Sequence, residues 1–251
     1  MITLSIVSHD QGALVATLLD DVARVASPLV TAIVVTLNVE EPIPNWPEAL
    51  APRIVTVVNP SPRGFGANHN ADFGRCATSY FAVMNPDLRL GDDPFAALLS
   101  RFEARASESV RLGLAAPRIV SADGTPEDAA RGLITPLELI LRRLFARRRA
   151  PRQDAHWLAG MFLFASSAAF EDVGGFDARY FMYCEDFDLC ARLRLRGWTF
   201  EIVEDARVIH AARRASHRSP RHLAWHVASL MRMWCSTAFW RYRRLLIAER
   251  R

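Results

Sequence analysis

The sequence predicts an α/β fold built on a mostly parallel central sheet, and three observations carry that expectation. Ile2–Val7, Val30–Leu37 and Ile54–Val58 are short, unbroken apolar runs. Such runs read as strands buried on both faces, the habit of parallel sheets. Between the first two lies Gln11–Ala26, with Leu14, Leu18, Leu19 and Val22 on one helical stripe, so strand, helix and strand alternate. Each run also stops at polar residues: Ser8-His9-Asp10, Asn38-Val39-Glu40-Glu41 and Asn59-Pro60. In parallel sheets, ligands collect at the carboxyl ends of strands. Ser8, Glu40 and Asn59 are therefore candidates for a nucleotide pocket, with ordinary turn chemistry as the competing reading.

The remaining elements follow in order. A Pro-rich loop covers 42–52. Arg63-Gly64-Phe65-Gly66-Ala67-Asn68-His69-Asn70 comes after the third strand. Its glycines let the backbone approach a ligand, and Asn68 and Asn70 offer donors and acceptors. The alternative is a loop leading into a helix over Ala71–Ala77. Ser79–Met84 is a fourth strand running into Asn85-Pro86-Asp87. A carboxylate there is placed to hold a divalent cation, or the tripeptide is simply a turn. Asp93 caps a helix from Pro94 to about Ala106, and Leu112–Val120 is a further strand. Asp123-Gly124 turns the chain before Glu127-Asp-Ala-Ala-Arg131, and Leu137–Phe145 reads as helical.

His156–Phe164 is an apolar strand with Gly160 inside it, which marks either the close approach of a ligand or a backbone, or a bulge. Tyr180–Tyr183 leads into Glu185-Asp186, and a helix follows with Leu189, Leu193 and Leu195, stopped by Gly197. Asp186 or Asp188 can cap that helix. The acidic pair is either a general base aimed into a cleft or two ordinary first-turn acids. Phe200–Val203 and Ala206–Ile209 read as two short strands that deliver His210, a metal ligand or a structural histidine. Ser219-Pro220 opens one long helix with Leu223, Val227, Leu230, Trp234 and Ala238 in a stripe. The helix packs on the domain or lies on a membrane surface.

Composition narrows the classes. The 251 residues are 51% hydrophobic and 23% charged, which describes a globular chain with a sizeable core. The net charge is +4, from 31 basic against 27 acidic residues, and every basic residue other than histidine is Arg. Guanidinium forks suit phosphate. The Arg runs, including Arg147–Arg152, are not interleaved with an aromatic stacking face, which argues against specific nucleic-acid binding. Cys76, Cys184, Cys190 and Cys235 have neither metal nor disulfide spacing, so reduced thiols and a cytoplasmic location are expected. No apolar run reaches membrane-spanning length and Met1 leads straight into a strand, so no signal peptide is expected.

Four motifs stand in one order: Gly64-Phe-Gly-Ala-Asn-His-Asn70, Asn85-Pro-Asp87, Trp157-Leu-Ala-Gly160 with Gly174-Gly-Phe-Asp177, and Tyr183-Cys-Glu-Asp-Phe-Asp-Leu189. Together they resemble the family-2 inverting glycosyltransferases of GT-A fold, and among these the rhamnosyltransferase-like bacterial enzymes. The resemblance runs from about Thr3 to His210. It implies a Rossmann-like GT-A domain over 1–215 and a basic amphipathic helix over 216–251.

The resemblance also assigns roles. Asn85-Pro86-Asp87 is similar to the family's Asp-x-Asp motif with Asn in the first place, so Asp87 becomes the metal-holding carboxylate. His210 stands where related enzymes have a second ligand for Mg²⁺ or Mn²⁺. Asp186 is the implied base, with Glu185 the near alternative. Ser8, Glu40, Asn59 and the loop from Gly64 through Phe65, Gly66 and Asn68 to Asn70 would hold the nucleotide, as would Asn85. Trp157 and Gly160 would border the sugar and the acceptor.

The activity implied is metal-assisted single displacement of a sugar from a nucleotide-diphosphate donor, dTDP-rhamnose for instance. The acceptor would be a cell-envelope glycan or a lipid-linked hydroxyl. Peripheral contact with the inner face of the membrane and a homodimer through the C-terminal helix are further expectations. A degenerate, non-catalytic transferase-like binder is the alternative that Asn85 keeps open. A nucleotidyltransferase would call for a fuller Gly-rich basic loop than Arg63 provides.

Overall fold

The computed structural model describes residues 1–25, 27–139, 155–211 and 220–250. The helix read over Leu137–Phe145 and the run Arg147–Arg152 fall mostly or wholly outside these residues.

An eight-stranded sheet organises the chain. Strands β1 (Ile2–Ser8), β2 (Val30–Leu37), β3 (Ile54–Val58), β4 (Tyr80–Met84), β5 (Leu88–Arg89) and β6 (Leu112–Ser121) come from the first half. β9 (Phe162–Ser166) and β10 (Thr199–His210) come from the second, and β7 (Ala130–Arg131) pairs with β8 (Trp157–Leu158) as a separate small ribbon. The order is β3-β2-β1-β4-β9-β6-β10-β5. β1 runs parallel to β2 and β4, β2 to β3, and β6 to β10; β9 is antiparallel to both β4 and β6. Two antiparallel steps restore direction, so the carboxyl ends of β1, β2, β3, β4, β6 and β10 share one edge of the sheet.

Alternation along each strand divides the core. Ala82, Met84, Phe162 and Phe164 pack under α1 (Gly12–Val25) and α3 (Pro94–Ser107). Phe81, Val83, Leu163 and Ala165 face α4 (Ser167–Asp172) and α5 (Glu185–Leu195). Val15, Leu18, Leu19 and Val22 are the buried line of α1; Leu14, placed in that stripe from sequence, is exposed. Asp93 caps α3 by accepting from Phe95 N at 2.9 Å.

Four boundaries differ from the expectation, each for a tertiary reason. Helix α2 spans Phe65–Phe73 rather than 71–77. Asn68, His69, Asn70 and Asp72 are weak helix formers, yet other elements hold their side chains, so packing overrides propensity. The strand read over 156–164 breaks at Gly160 into β8 and β9. β10 is one strand, and the gap read at Glu204-Asp205 is a shift in register against β6 between Val203 and Arg207.

The C-terminal helix is two: α6 (Pro220–Cys235) and α7 (Thr237–Ala248). Ser236 makes the break, its hydroxyl accepting from Phe239 N at 3.1 Å as a new N-cap. The stripe read across it divides too. Leu223 and Val227 are exposed, Leu230 and Trp234 pack half-buried against the domain, and the fully buried residues are Ser229 and Met233 of α6 and Phe239 and Tyr242 of α7. Met233, Phe239 and Tyr242 close over Tyr180, Phe187 and Ala191, so the helical extension covers the acidic stretch.

Candidate active site

The ends of β1, β2 and β3 build a wall of amides. Asn38 Oδ1 accepts from Arg63 N at 2.8 Å and from Asn59 Nδ2 at 2.9 Å, and Asn59 Nδ2 also bonds Asn68 Oδ1 at 2.7 Å. Ser8 is buried and donates to Glu41 Oε2 at 2.8 Å; the same carboxylate accepts from Gly12 N and Asp10 N. Glu41, not Glu40, is therefore the acid built into this wall: Glu40 is exposed and makes no hydrogen bond among the described residues. Sequence reasoning missed Glu41 and Asn38. The available signal was their place just past a strand end.

The Gly-Phe-Gly loop has a different reason for its glycines. A Cβ at Gly64 would lie 2.8 Å from Phe181 O, and one at Gly66 would lie 2.5 Å from Phe176 Cβ. Protein backbone and ring stand where a ligand was expected. Phe65 N donates to Phe181 O at 2.8 Å, which docks the start of α2 on the loop before α5. Asn70 is likewise spent on the fold. Its amide donates to Phe176 O at 2.7 Å and accepts from Phe176 N at 2.9 Å, leaving it a clamp on the 175–176 backbone rather than a nucleotide contact.

Beneath the wall lies a buried polar knot that sequence reading missed. Ser5 Oγ donates to Asp72 Oδ2 and Thr36 Oγ1 to Asp72 Oδ1, both at 2.6 Å, and His69 Nδ1 meets Ser5 Oγ at 2.6 Å. Burial pushes the Asp72 carboxyl up to about 6, against the pull of the two hydroxyls, and pushes His69 down to about 3.

At the end of β4, Asn85 N bonds Met161 O at 2.9 Å. Asp87 Oδ2 lies 3.1 Å from His210 Nε2, and His210 Nδ1 lies 2.7 Å from Glu127 Oε2. The bond to Asp87 and then the bond to Glu127 lift the His210 pKa to about 9. Asp87 Oδ1 is buried without a hydrogen-bond partner. A free carboxylate oxygen next to an imidazole fits a divalent cation that takes its other ligands from diphosphate oxygens and water. Among the described residues, no three His, Cys, Asp or Glu side chains surround one position, so protein alone does not complete the shell.

One turn links this cluster to the acidic pair. Gly160 N, next to Met161, donates to Asp186 Oδ2 at 3.0 Å, and Phe187 N donates to Asp186 Oδ1 at 2.8 Å. Neither Asp186 nor Asp188 caps α5: the N-cap is Cys184, and no side chain closes that end. Tyr183 and Cys184 both take left-handed backbone, φ 74° and 66°, strain of the kind that collects at functional sites.

Burial raises Asp186, while the two amides and then the Arg131 charge draw it back. Burial and then the Asp186 charge hold the Glu185 carboxyl well above the ordinary range, and its Oε2 is buried without a partner. Asp186 is half-buried and Glu185 fully buried. Trp157 stands edge-on to Phe187 at 6.2 Å, with Arg131 5.4 Å over its ring. Phe181 and Tyr183 pack against Trp225 and His226 of α6, at 4.7 and 5.0 Å between ring centres.

No family model matches the chain. An N-acetylglucosaminyl-diphospho-decaprenol L-rhamnosyltransferase of Mycobacterium tuberculosis is 36% identical over 160 residues, 57% of this chain and 51% of that protein. Rhamnosyltransferase WbbL of Escherichia coli is 42% identical over 78 residues, 30% of this chain and 29% of its own. The chain thus spans about half the length of the first relative and less of the second. Among solved structures, GalNAc-T7 with UDP, GalNAc and Mn²⁺ superposes with a TM-score of 0.63 at 17% identity, covering 88% of this chain and 45% of that one. The mannosyltransferase PcManGT of Pyrobaculum calidifontis, with GDP-Man and Mn²⁺, gives 0.60 at 14% identity over 92% and 64%. This is a GT-A chain of rhamnosyltransferase-like sequence.

In this GT-A chain, Ser8, Asn59 and Asn68 meet at the amide wall, and Asn85, Asp87 and His210 at the neighbouring strand ends. Trp157, Gly160, Glu185 and Asp186 form the third side. Phe65 stands between wall and acids: a Cβ on Gly160 would lie 3.6 Å from both Phe65 Cε1 and the Asp186 carboxylate. Glu127 and Arg131 join the site from a segment that carried no motif in the sequence.

Proposed function

We propose that the chain is an inverting, family-2-type glycosyltransferase that moves rhamnose from a dTDP donor to a hydroxyl of a diphospholipid-linked acceptor sugar. The observation that carries the reading is Asp186, a carboxylate held by Gly160 N–H, whose neighbour Met161 bonds Asn85 at the start of the strand end that carries Asp87. The amide wall suits a nucleoside. The M. tuberculosis relative is named for an N-acetylglucosaminyl diphospholipid acceptor, which supports the acceptor class.

In the proposed step Asp186 takes the proton of the acceptor hydroxyl. The oxygen bonds to the anomeric carbon from the face opposite the nucleotide, and the carbon–phosphate oxygen bond breaks with its electron pair leaving on the diphosphate. One displacement and no enzyme nucleophile invert the anomeric centre. Asp87 and His210 would hold a Mg²⁺ or Mn²⁺ ion, which supplies charge neutralisation for the departing diphosphate. Arg131 adds a guanidinium beside the same space.

The protein would reach a membrane-borne acceptor by peripheral contact through α6, where Leu223, Val227 and Met231 form an exposed line at four-residue spacing. None of the described helices is long and apolar enough to cross a membrane. The function is tested by incubating the protein with dTDP-rhamnose, Mn²⁺ and an N-acetylglucosaminyl diphospholipid. The expected product is a disaccharide lipid whose new linkage has inverted configuration. A folded protein that releases no dTDP and forms no product would refute the reading and favour the non-catalytic binder.

A further inference from the structure

We propose that Glu127 is a positioning residue for the metal site: it holds the His210 ring with Nδ1–H directed at its carboxylate, so that Nε2 faces Asp87 and the ion. The inference rests on the reading of Asp87 and His210 as metal ligands.

The chain goes to some length to put Glu127 there. β6 ends at Ser121 next to His210 of the parallel strand β10. A tight turn follows, closed by Ser121 N to Thr125 O at 2.9 Å and held by Asp123, which accepts from Ser121 Oγ at 2.5 Å and Thr125 N at 3.0 Å. Gly124 supplies the positive φ of 84° that the turn needs. The returning chain pairs Pro126 with Val120, and Glu127 N donates to Ile119 O at 2.9 Å. Glu127 is thereby registered against the end of β6, within 2.7 Å of His210 Nδ1.

The two carboxylates meet opposite nitrogens of one ring. Glu127 therefore cannot ligate the ion that Nε2 would share with Asp87, which explains why acids and imidazole lie close without forming a three-ligand shell. A carboxylate on the far nitrogen of a ligating histidine fixes the tautomer, orients the ring and raises its basicity; loss of such a partner typically costs 10–100-fold in metal affinity. The competing account is a plain ion-pair clamp joining β10 to the loop after β4, where Ala211 N also bonds Asp87 O at 2.9 Å. A clamp would contribute to stability and leave metal affinity of the folded protein alone.

The test measures Mn²⁺ binding by the paramagnetic resonance signal of the free ion, for wild type, Glu127→Ala, Glu127→Gln and Asp87→Asn. The thermal midpoint of each metal-free protein is taken alongside. We expect Glu127→Ala to weaken Mn²⁺ about 10–100-fold. Glu127→Gln, which keeps an acceptor oxygen, should lose less, and Asp87→Asn should lose most. Unchanged affinity in Glu127→Ala with a loss in Asp87→Asn overturns this proposal and leaves the metal reading standing. Unchanged affinity in all three removes both. Should Glu127→Ala fail to fold, nitrogen-15 shifts of the His210 ring in Mg²⁺-loaded wild type decide the matter. A protonated Nδ1 supports the proposal, and a bare Nδ1 with the proton on Nε2 overturns it.

Discussion

Asp186 and Glu185 are neighbours in the chain with opposite surroundings. Two backbone amides favour the carboxylate form of Asp186 against its burial, while Glu185 is buried, partly unpartnered and held well above the ordinary carboxylate range. Asp186→Asn should lower transfer by roughly 10²–10⁴-fold, the usual worth of a general base, with donor binding intact. Glu185→Gln alters a buried carboxyl that has one oxygen without a partner and should stay within a few-fold of wild type. The reverse pattern in steady-state kinetics would make Glu185 the base. Asp72 gives a second residue-scale prediction, in stability. Its carboxyl sits at about 6 in the fold against an ordinary 3.8, so the fold favours its protonated form. That contribution is complete below the ordinary value and lost as pH rises through about 6, some 3 kcal/mol by pH 7.5. His69 acts in the opposite sense, its neutral form losing ground as pH falls from 6.5 towards 3. Asp72→Asn removes the first effect and keeps the second. In urea unfolding the variant should therefore gain on wild type between about pH 4.5 and 7.5, and a pH-independent difference would refute this. Residue types and strand ends made Ser8 and Asp87 legible as candidates in the sequence, and the apolar run before it did so for Asp186. Which of two adjacent acids faces inward, Glu40 or Glu41, is set by a loop path that the sequence does not reveal.

Among the elements, the long strands were legible, while the two-residue strands β5 and β7 and the breaks were not. An apolar run announces a buried strand by composition alone, and Val30–Leu37 and Ile54–Val58 match their expected limits. The split at Gly160, the register shift inside β10 and the α6–α7 junction depend on what lies opposite. Ser236 shows the difficulty: an unremarkable serine in a continuous helical pattern becomes a cap because Phe239 and Tyr242 must turn inward over Phe187. Ser236→Ala should cost about 1 kcal/mol. The loss should concentrate in α7, read as faster amide exchange over Thr237–Ala248 with the sheet unaffected. Uniform exchange throughout would mean the cap does not define the junction. The left-handed pair Tyr183-Cys184 belongs to the same class of feature. No local pattern announces it, yet it sets the angle at which Glu185 and Asp186 enter α5.

For the whole molecule, the apolar line of Leu223, Val227 and Met231 faces outward while Ser229, Met233, Phe239 and Tyr242 of the same two helices pack inward. Replacing all three by Ser should reduce sedimentation with anionic phospholipid vesicles while leaving donor hydrolysis unchanged. Equal recovery of both proteins would refute membrane contact through this face, and a shift in oligomeric state instead would make it a contact between copies. Fold class was legible at this scale because strand–helix alternation is a long-range pattern written in short-range signals. The sheet order was not, since β9 is a five-residue run with nothing in it to say where it inserts. That insertion has a consequence for how the protein is made. β4 is finished by residue 84 and β6 by residue 121, but the strand that joins them begins only at residue 162. During synthesis the amino-terminal half waits with an open edge, and pairing across such distances is slow. The nascent chain is thus most prone to association with its own copies between the birth of β6 and the arrival of β9. The strand that closes this edge also carries in Met161, which receives Asn85 N, and Gly160, to which Asp186 docks once α5 has been made.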